Sequence, residues 1–452
     1  MEQYSKVLDT ATNILIPGSR FTVSKMIEAA VKRVLENKYG PNWKEQESLF
    51  CDCYESLRKS FRKESYSGDI PYLYSMYYML LNIPKIQLVL LQLLKRKRLP
   101  PHLKVLDVGS GVGTSAIALI DLVALLDNLC GLYGENAIFQ WVGIDTIEAA
   151  ADNIDVFNKN VAAFKEELGK IYNADKIEVS STTQADITDY RVDGNYDLII
   201  VSNMLNEIPY ESRKDLILRL QCNLNSHGDM IIIEPASKGA AIGLNRLKSE
   251  IAAVSKLTCL GPCGPCEKCR QCWVFQTCDI SECELVGYVD ELYQSRHPSH
   301  YTDDFYNNRL KWNYCILSRS ASVDQCTDLA QAYIESAHAV QVNIVSNRVG
   351  NNRYLICDGK TNRGHLIGNG HDFGYFKFGD LVTLENIEIV KTAEDLYRIS
   401  VTPETRTVNK YSDSDKSKTV FKEVKERNIT YILNRLWGYE SLREGQFEII
   451  KR

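Results

Sequence analysis

Three glycines stand close together in the segment LDVGSGVGTS, residues 106–115. Gly109, Gly111 and Gly113 follow a short apolar run and precede an apolar stretch with helical spacing. Glycine this dense costs chain entropy, so the pattern indicates a turn after a strand where a ligand lies against bare backbone. A dinucleotide-binding loop needs its third glycine at position 114, where Thr114 stands instead. The spacing therefore argues against a dinucleotide.

The spacing D-x-G-x-G-x-G resembles the first motif of class I S-adenosylmethionine-dependent methyltransferases. The resemblance implies that the loop backbone passes against the methionine part of the cofactor, with Asp107 holding its ammonium group directly or through water. It also implies ribose recognition by Asp145, which ends the next predicted strand, because a carboxylate accepts hydrogen bonds from both hydroxyls. Asp186, after the third predicted strand, is expected at the adenine amino group. The candidate cofactor-binding residues are Asp107, Gly109, Ser110, Gly111, Gly113, Asp145, Asp186 and Asn203.

The segment VSNMLNEIP, which follows the fourth predicted strand, is expected to face the same cleft. Its polar residues Asn203, Asn206 and Glu207 are candidates for contact with substrate or cofactor. No N-P-P-Y motif occurs at 203–206, and the fourth and fifth strands carry no convincing nucleophilic cysteine. Methyl transfer is an in-line displacement in which positioning does most of the catalysis. The sequence therefore predicts cofactor binding more firmly than turnover and assigns no catalytic residue.

Seven of the fourteen cysteines lie between 259 and 283, and four of them form C-x2-C-x2-C-x2-C. Structural zinc usually takes two knuckles separated by a longer spacer, whereas a cubane cluster accommodates closely spaced thiolates. We therefore expect a 4Fe-4S cluster, with zinc and free or regulatory thiols as the alternatives. The expected ligands are Cys263, Cys266, Cys269 and Cys272, with Cys315 as an alternative to Cys266 and with Cys278 and Cys283 still open.

Strands alternate with helices from residue 101, which predicts a doubly wound parallel α/β sheet of the Rossmann-like methyltransferase type. Five short β-rich runs after 338 predict a small OB-like barrel. The predicted units are an N-terminal helical region (1–100), the methyltransferase-like domain (101–320) with a cysteine-rich insertion (259–283), the barrel (335–405), a polar linker (406–430) and a C-terminal segment (431–452).

The combination of this core with the GPC…C…CWVFQ insertion and the late strand WNYCILSR resembles mitochondrial and bacterial small-ribosomal-subunit methyltransferase-like proteins. The upstream segment DIPYLYSMYYMLLNIPKI also resembles that family, so the likeness covers roughly residues 65 to 320. The resemblance implies S-adenosylmethionine binding, a 4Fe-4S cluster and association with small-subunit ribosomal RNA during assembly or translation. The acceptor, and whether methyl transfer occurs, do not follow from it.

The C-terminal segment LWGYESLREGQFEII is similar to the segment that opens RecQ-type DNA helicases. That resemblance implies adenine recognition by Gln446, with Arg443 nearby. No G-x-x-x-x-G-K-[ST] motif follows, so the chain lacks the usual P-loop for a triphosphate. The segment is read as the start of a truncated helicase domain, as a remnant, or as an amphipathic terminal helix.

Composition restricts the remaining possibilities. The chain has 452 residues, 44% of them hydrophobic and 25% charged, with a net charge of −5. No basic region followed by an apolar one opens the chain, and no apolar run is expected to approach the length of a membrane span, so a cytoplasmic location without a membrane partner is expected. The basic run 95–98 is expected to be a solvated helix end.

Two functional hypotheses follow. The first is an iron–sulfur, S-adenosylmethionine-binding methyltransferase-like protein that acts on RNA. The second is a non-catalytic DNA- or RNA-binding module whose barrel stacks bases on aromatic side chains over a basic groove. The aromatic candidates for that surface are Tyr354, His365, Phe373, Tyr375, Phe376 and Phe378.

Overall fold

The computed structural model describes residues 2–17, 20–60, 67–262, 276–277, 280, 283–296, 311–320, 339–345, 353–357, 363–368, 376, 381–393, 396–409 and 425–442. Its largest element is a nine-stranded mixed sheet. The strands of this sheet, in chain order, are β1 (His102–Val108), β2 (Trp141–Glu148), β3 (Ile177–Val179), β4 (Thr183–Gln184), β5 (Tyr196–Ser202), β6 (Leu224–Pro235), β7 (Thr258–Gly261), β8 (Gln276–Thr277) and β9 (Lys311–Ser318).

The strand order is β3-β2-β1-β5-β6-β9-β7, with β4 beside β2 and β8 beside β9. Strand β1 pairs in parallel with β2 on one side and β5 on the other, and β5 pairs in parallel with β6. The chain therefore winds outwards in two directions from β1, which leaves a crevice at the carboxyl ends of β1 and β5. Strand β9 is antiparallel to β6. The predicted doubly wound core and its late antiparallel strand are confirmed.

Helices make up the N-terminal part, as predicted. They are α1 (Glu2–Leu15), α2 (Lys25–Tyr39), α3 (Glu47–Ser60), α4 (Ile70–Tyr74) and α5 (Leu80–Lys95). A π-helical segment, Ser75–Met79, joins α4 to α5. The sequence suggests a division near Pro84, but the irregularity lies at the π-helical segment and Pro84 lies inside α5.

Both faces of the sheet are covered by helices. The later helices are α6 (Thr114–Tyr133), α7 (Ala151–Gly169), α8 (Tyr210–Leu220), α9 (Lys238–Val254), α10 (Glu284–Arg296) and α11 (Glu426–Trp437). Successive strand residues point to opposite faces. Ile200 packs with α6, α7 and the N-terminal helices, whereas Ile199 packs with α8 and α9.

Two helical stretches, Ile70–Lys95 and Thr114–Tyr133, are long and apolar enough to cross a membrane by length and composition. The expectation that no apolar run approaches such a span was therefore wrong on those criteria. In each stretch 89% of the apolar window is buried inside the protein, and a helix enclosed by other elements is apolar all round for that reason.

A second unit is a closed five-stranded barrel, as predicted. Its strands are β10 (Ala339–Ile344), β11 (Arg353–Cys357), β12 (Arg363–Gly368), β13 (Leu381–Ala393) and β14 (Leu396–Asn409). The order is β10-β11-β12-β14-β13, and β10 closes the barrel against β13. Strands β12 and β14 pair in parallel, whereas the other pairs are antiparallel.

The proposed aromatic surface of the barrel needs correction. Tyr354 and Phe376 lie in the barrel core, 0% and 5% exposed, with their rings edge to face and 5.4 Å between centroids. The pleat points Tyr354 inwards between the outward positions on β11, so neither ring can stack on a base. The remaining candidates, Phe373, Tyr375, Phe378 and the side chain of His365, fall outside the described residues.

Helix α11 follows the barrel in the chain and packs back on α6 and α2 of the first unit. The predicted linker 406–430 therefore overlaps the end of β14 and the beginning of α11. Residues Asn428, Ile429, Tyr431 and Arg435 form the buried face of α11, because they recur at helical spacing. Gln446 and Arg443 of the helicase-like segment fall outside the described residues.

The basic run 95–98 is not only a solvated helix end, because two of its arginines bind the sheet. Arg98 donates from Nε and Nη2 to the carboxylate of Asp229 at 3.0 and 2.8 Å, and from Nη2 to Ser318 Oγ at 2.7 Å. Asp229 lies on β6 and Ser318 on β9, so the arginine ties the end of α5 to two strands of the sheet. Arg96 Nη2 also donates to the carbonyl of Leu260 at 3.0 Å.

The predicted cluster ligands Cys263, Cys266, Cys269, Cys272 and Cys278 fall outside the described residues. Cys259 and Cys315 are buried in the apolar cluster with α8 and α9, whereas Cys283 is buried in the cluster of the opposite face. Cys283 therefore cannot share one metal centre with the other two. The described part of the chain shows no group of three or more side chains placed to hold a metal ion.

Candidate S-adenosylmethionine cleft

A cavity of about 470 Å³ opens at the carboxyl ends of the central strands. This volume falls in the range of about 300–1,000 Å³ that small-molecule sites occupy. The cavity is lined by Tyr74, Gly109, Gly111, Val112, Ile147, Glu148, Ala149, Asn153, Ala185, Asp186, Ile187, Thr188, Ser202, Asn203, Met204, Glu207, Ile208 and Pro209. Five predicted residues are among them: Gly109, Gly111, Asp186, Asn203 and Glu207.

The glycine loop brings bare backbone to the cavity. Gly109 has φ +68°, and a Cβ there would lie 2.7 Å from Cγ of Met204. Gly111 has φ +53° and open space where its Cβ would be. Both positions therefore favour glycine by conformation, and Gly109 does so by space as well. Gly113 has φ +100° and caps the N-terminus of α6, and a Cβ added there would lie 3.2 Å from the Phe157 ring. It therefore shapes the loop without lining the cavity.

The acid at the end of β2 that faces the cavity is Glu148, not Asp145. Strand β2 runs three residues beyond Asp145, because Ile147 still pairs with Val108 and Glu148 with Gln184. Glu148 Oε2 accepts from the N–H of Gly111 at 2.7 Å. The structure therefore places Glu148, and not the predicted Asp145, at the cavity.

Asp145 lies elsewhere and does not line the cavity. It accepts from the hydroxyl of Tyr196 at 3.1 Å and lies 3.6 Å from the Lys104 ammonium. Its side chain is 37% exposed. The period of two along a strand sends Asp145 and Glu148 to opposite faces, so only one of them can reach the cavity.

The Glu148 carboxylate is held firmly. Oε1 accepts from the N–H of Ala150 at 3.1 Å and from Nδ2 of Asn153 at 3.2 Å. Asn153 lies on α7 and also lines the cavity. Glu148 thus fixes the glycine loop, the start of α7 and one wall of the cavity, and its oxygens keep lone pairs for further donors.

Asp107 and Ser110 lie beneath the loop and do not line the cavity. Asp107 is buried, and neither carboxylate oxygen makes a hydrogen bond of normal geometry among the described residues. Burial raises the pKa of Asp107 to about 7, against a smaller opposing effect of the nearby Ser115 hydroxyl. The hydroxyl of Ser110 is likewise buried without a partner. Orphaned buried polar atoms of this kind are expected beside a ligand or ordered water.

Asp186 lines the cavity from the segment after β4. Its Oδ1 accepts from the backbone N–H and from the hydroxyl of Thr188, at 2.8 and 2.7 Å. This turn, in which the side chain folds onto its own backbone two residues on, holds the carboxylate at the rim. The structure therefore places Asp186 at the cavity, and its contact with the adenine amino group stays a prediction.

The turn after β5 forms the opposite wall. Asn203 has φ +57°, a conformation that is uncommon for residues other than glycine and clusters at functional sites. Glu234, at the end of β6, accepts from the N–H groups of Leu205 and Asn206 at 2.8 and 3.2 Å. Burial raises the pKa of Glu234 to about 8, against those two hydrogen bonds. Glu234 thereby positions the turn that presents Glu207.

Tyr74 reaches the cavity from α4 of the N-terminal helical part. Its hydroxyl oxygen accepts from Nδ2 of Asn82 at 3.3 Å, and Oδ1 of Asn82 accepts from the buried Lys85 ammonium at 2.6 Å. A lysine can only donate, so it fixes which way the Asn82 amide faces. The hydroxyl hydrogen of Tyr74 is therefore not used by Asn82.

The π-helical segment after Tyr74 is tied to the glycine loop. Nδ2 of Asn160, on α7, donates to Ser75 Oγ at 2.8 Å and to the carbonyl of Val112 at 3.0 Å. Such π-helical turns are frequent at functional sites. The N-terminal helical part and the loops of the sheet therefore form the cavity together.

The charge of the cavity wall has one sign. Glu148, Asp186 and Glu207 line it, and its described lining includes no Lys, Arg or His. A pyrophosphate would meet repulsion there, which agrees with the failed dinucleotide pattern. A cationic ligand would be attracted.

Glu148, Tyr74 and Asn153 are among the cavity residues that were not predicted. The composition of residues 147–168 predicts a helix that would include Glu148, and Tyr74 and Asn153 carry no local pattern. Only the strong apolar run IPYLYSMYYMLL could have drawn attention to Tyr74, by placing a helix before the first strand. Asn206, a substrate candidate, faces Glu234 rather than lining the cavity.

No known protein-family description matches the sequence, and comparison with curated proteins gives no match. Solved structures do match it. The chain is 18% identical to the glycopeptide N-methyltransferase MtfA complexed with S-adenosyl-L-methionine, over 30% of this chain and 46% of that one, with a TM-score of 0.22. The matches to MtfA structures thus span about half the length of that enzyme.

Magnesium protoporphyrin IX methyltransferase from Synechocystis PCC 6803, with bound cofactor, is 12% identical over 61% of this chain and 97% of that one, with a TM-score of 0.30. A SAM-dependent methyltransferase from Leishmania major is 16% identical over 41% and 62%, with a TM-score of 0.26. Likenesses this distant concern the fold alone, so the function must be inferred from the cleft. The structures compared are of methyltransferases, and the α/β fold with a helical N-terminal part follows from this chain's own strand order and helices.

Proposed function

We propose that this protein binds S-adenosyl-L-methionine in the cleft and is a methyltransferase. One observation carries the proposal: bare backbone at Gly109 and Gly111 faces a cavity whose charged lining residues, among those described, are all carboxylates. S-adenosylmethionine carries a sulfonium and an ammonium group and has no phosphate. A site of this charge and shape suits it better than it suits a nucleotide.

The residues of the cleft fit the parts of this cofactor. Glu148 would accept the ribose hydroxyls, and Asp186 would lie at the adenine amino group. The orphaned Asp107 beneath the loop would balance the ammonium group, directly or through water. When bound, the cofactor supplies an activated methyl group for in-line displacement.

The chain's own contribution is then mainly positioning. Burial and the carboxylate of Glu207 raise the pKa of Tyr74 well above its usual value, so this phenol stays protonated and is no general base. Asn203, held in its unusual conformation, presents a polar side chain beside it.

Two acids on β2 provide a matched test. We expect Glu148→Ala to weaken cofactor binding at least tenfold, because it removes the carboxylate that orders the loop and faces the cavity. Asp145→Ala should leave the dissociation constant within about twofold, since that side chain lies on the other face. Isothermal titration calorimetry with S-adenosyl-L-methionine measures both. Failure of the unmodified protein to bind, or equal loss in both variants, would contradict the proposal.

RNA, in particular small-subunit ribosomal RNA, is the acceptor that the sequence resemblance implies, and we propose it as the class to test first. Support comes from the barrel, whose five strands and parallel β12–β14 pairing suit an OB-like fold, a class that binds single strands. The acidic cleft would admit an extruded base but would repel its phosphates. Incubation with labelled cofactor and either small-subunit RNA or total protein distinguishes an RNA acceptor from a protein one.

The alternative function, a nucleic-acid-binding module without turnover, rests on the same barrel. It loses its main support because Tyr354 and Phe376 are core residues. Leu355, which points outwards on β11, packs against Ala236 and Ala241 of the first unit. Part of the barrel surface is therefore already covered.

The 4Fe-4S cluster stays a proposal based on the cysteine spacing. Its support is the way the chain flanks those cysteines: Gly261 pairs with Ile316 and Gln276 with Trp312, so both ends of the segment meet β9. Anaerobic purification with iron, sulfide and zinc analysis tests it. Cys269→Ser should abolish bound iron, whereas Cys222→Ser, which changes an exposed thiol in the turn just after α8, should not. Stoichiometric zinc would contradict the proposal.

A further inference from the structure

We propose that Glu234 is a positioning residue whose ionised side chain holds the 203–207 turn in the shape that binds the cofactor, and whose protonation releases that turn. The inference rests on the proposed function and deepens it. Glu234 lies at the end of β6, is 5% exposed and does not line the cavity. It can therefore act on a bound cofactor only through the turn that it contacts.

The side chain of Asn206 makes this arrangement depend on charge. One end of its amide faces two oxygens, Glu234 Oε2 and the carbonyl of Asn203. An amide oxygen at that end would meet acceptors only, so the group there is Nδ2, which donates to the two oxygens at 3.2 and 2.9 Å. A single amide therefore joins the Glu234 carboxylate to the backbone of the cavity wall.

The carbonyl that accepts the second of these hydrogen bonds belongs to the peptide that joins Asn203 to Met204. Both residues line the cavity. Asn203 has the uncommon φ of +57°, and the side chain of Met204 lies against Gly109. The Asn206 amide thus holds a peptide that lies between the turn and the glycine loop.

Protonation of Glu234 would reverse the amide. The ionised carboxylate accepts from the N–H groups of Leu205 and Asn206 as well as from Nδ2. A proton on Oε2 needs an acceptor, and among these groups only the amide supplies one, by turning its Oδ1 towards Glu234. That oxygen would then also face the carbonyl oxygen of Asn203, which repels it, so the turn would have to move.

Charged groups from several elements face Glu234. Arg213 on α8 favours its ionised form, whereas Glu207 in the turn opposes it. Tyr74 on α4 lies close enough for the Glu234 charge to raise the pKa of its hydroxyl, and the neighbour on β9 is the neutral Asn313.

Burial is the largest influence on Glu234 and raises its pKa to about 8, against the two backbone hydrogen bonds and Arg213. The protonated form is therefore populated at neutral pH in the ligand-free protein. A cofactor that needs the wall in place expels this proton, so binding should strengthen as the pH rises towards 8.

Isothermal titration calorimetry with S-adenosyl-L-methionine at two pH values tests the inference on the full chain. Burial raises the pKa of Asp107 to about 7, so this carboxyl must lose a proton as well if it balances the cofactor ammonium. From pH 7.5 to pH 6.5 the dissociation constant should rise about twentyfold in the unmodified protein. In Glu234→Gln it should rise only about threefold, which is the share of Asp107.

Two further variants separate the amide from a general effect of charge. Glu211→Gln changes an exposed acid on α8 outside the cavity, so this matched control should keep the twentyfold rise. Asn206→Ala removes the amide and leaves β6 unchanged. It should weaken binding at pH 7.5 at least threefold and reduce the rise, because the carboxylate no longer reaches the carbonyl of Asn203.

Proton release needs no variant and covers the case in which Glu234→Gln does not fold. Titrations in two buffers of different ionisation enthalpy should show more than about one proton released per bound cofactor at pH 7. Release of about half a proton, the share of Asp107, would overturn the role of Glu234.

The outcomes separate this inference from the proposed function. If the cofactor binds at neither pH, the proposed function fails. If it binds and Glu234→Gln shows the same pH dependence as the unmodified protein, the cofactor site stands and the role given to Glu234 is wrong. If Asn206→Ala binds like the unmodified protein at both pH values, the amide does not transmit the charge and the inference is equally wrong.

Discussion

Removal of the Arg435 guanidinium should destabilise the helical part of the protein although it lies far from the cleft. Arg435 on α11 and Asp121 on α6 are both 0% exposed, and Nη2 donates to Oδ2 at 2.8 Å. Gln87 Nε2 donates to the same oxygen at 2.8 Å. Arg435→Met keeps the aliphatic stem but leaves the buried Asp121 carboxylate without its cation.

Breaking a buried ion pair on one side costs about 3–5 kcal/mol, because an uncompensated charge stays buried. Replacement of both partners by apolar residues of similar volume is often neutral or stabilising. We therefore expect Arg435→Met to lower the free energy of unfolding by about 3 kcal/mol or more. The double variant Asp121→Leu/Arg435→Met should recover most of that loss.

Urea denaturation followed by far-ultraviolet circular dichroism measures these changes, because the signal reports the helices rather than the barrel. Arg427→Met, an exposed arginine on the same helix, is the control and should change the free energy of unfolding by less than about 0.5 kcal/mol. The reasoning is refuted if Arg435→Met costs less than about 1 kcal/mol, or if the double variant is as unstable as the sum of the two single ones.

Two further predictions concern the loop. The pKa of Asp107 is raised to about 7, so the ligand-free protein loses stability as the pH rises from about 4 to 7, where the unfolded chain releases this proton and the folded one retains it. Asp107→Asn should therefore change thermal stability little at pH 4 but stabilise the ligand-free protein at pH 8, by up to about 4 kcal/mol, while it weakens cofactor binding; equal effects at both pH values would count against a buried carboxyl. Gly109→Ala combines a left-handed conformation with a Cβ only 2.7 Å from Met204, so it should abolish binding measured by calorimetry, whereas Gly169→Ala, in open space, should not; normal binding by the first variant would contradict the described loop.

The sequence predicted the layered core because strands and helices differ in the period of their apolar residues. The glycine loop, Asp186 and Asn203 were expected at one cleft for the same reason, since each follows directly from a strand end, and residues of all three line the cavity. It could not place the end of β2, because IEAAADN has helix-forming composition. Pairing of Ile147 with Val108 and of Glu148 with Gln184 keeps the first residues of that segment extended, and this pairing is a tertiary effect.

The misplaced strand end explains the misassigned acid. Moving the end of β2 by three residues exchanges Asp145 for Glu148 and also exchanges the faces on which they lie. Tyr74 was beyond prediction for another reason. It precedes the glycine loop by more than thirty residues, and only packing of the helical part on the sheet brings it into the cavity.

The contact between α11 and α6 has a consequence for biosynthesis. Arg435 and Asp121 are 314 residues apart, and the whole barrel is made between them. While the barrel is being synthesised, the surface of α6 and α2 that α11 covers in the finished protein is therefore still exposed. Until α11 is made, the Asp121 carboxylate has Gln87 as a donor but lacks the Arg435 guanidinium. The uncovered surface of α6 is therefore where a chaperone or a protease would bind the incomplete chain.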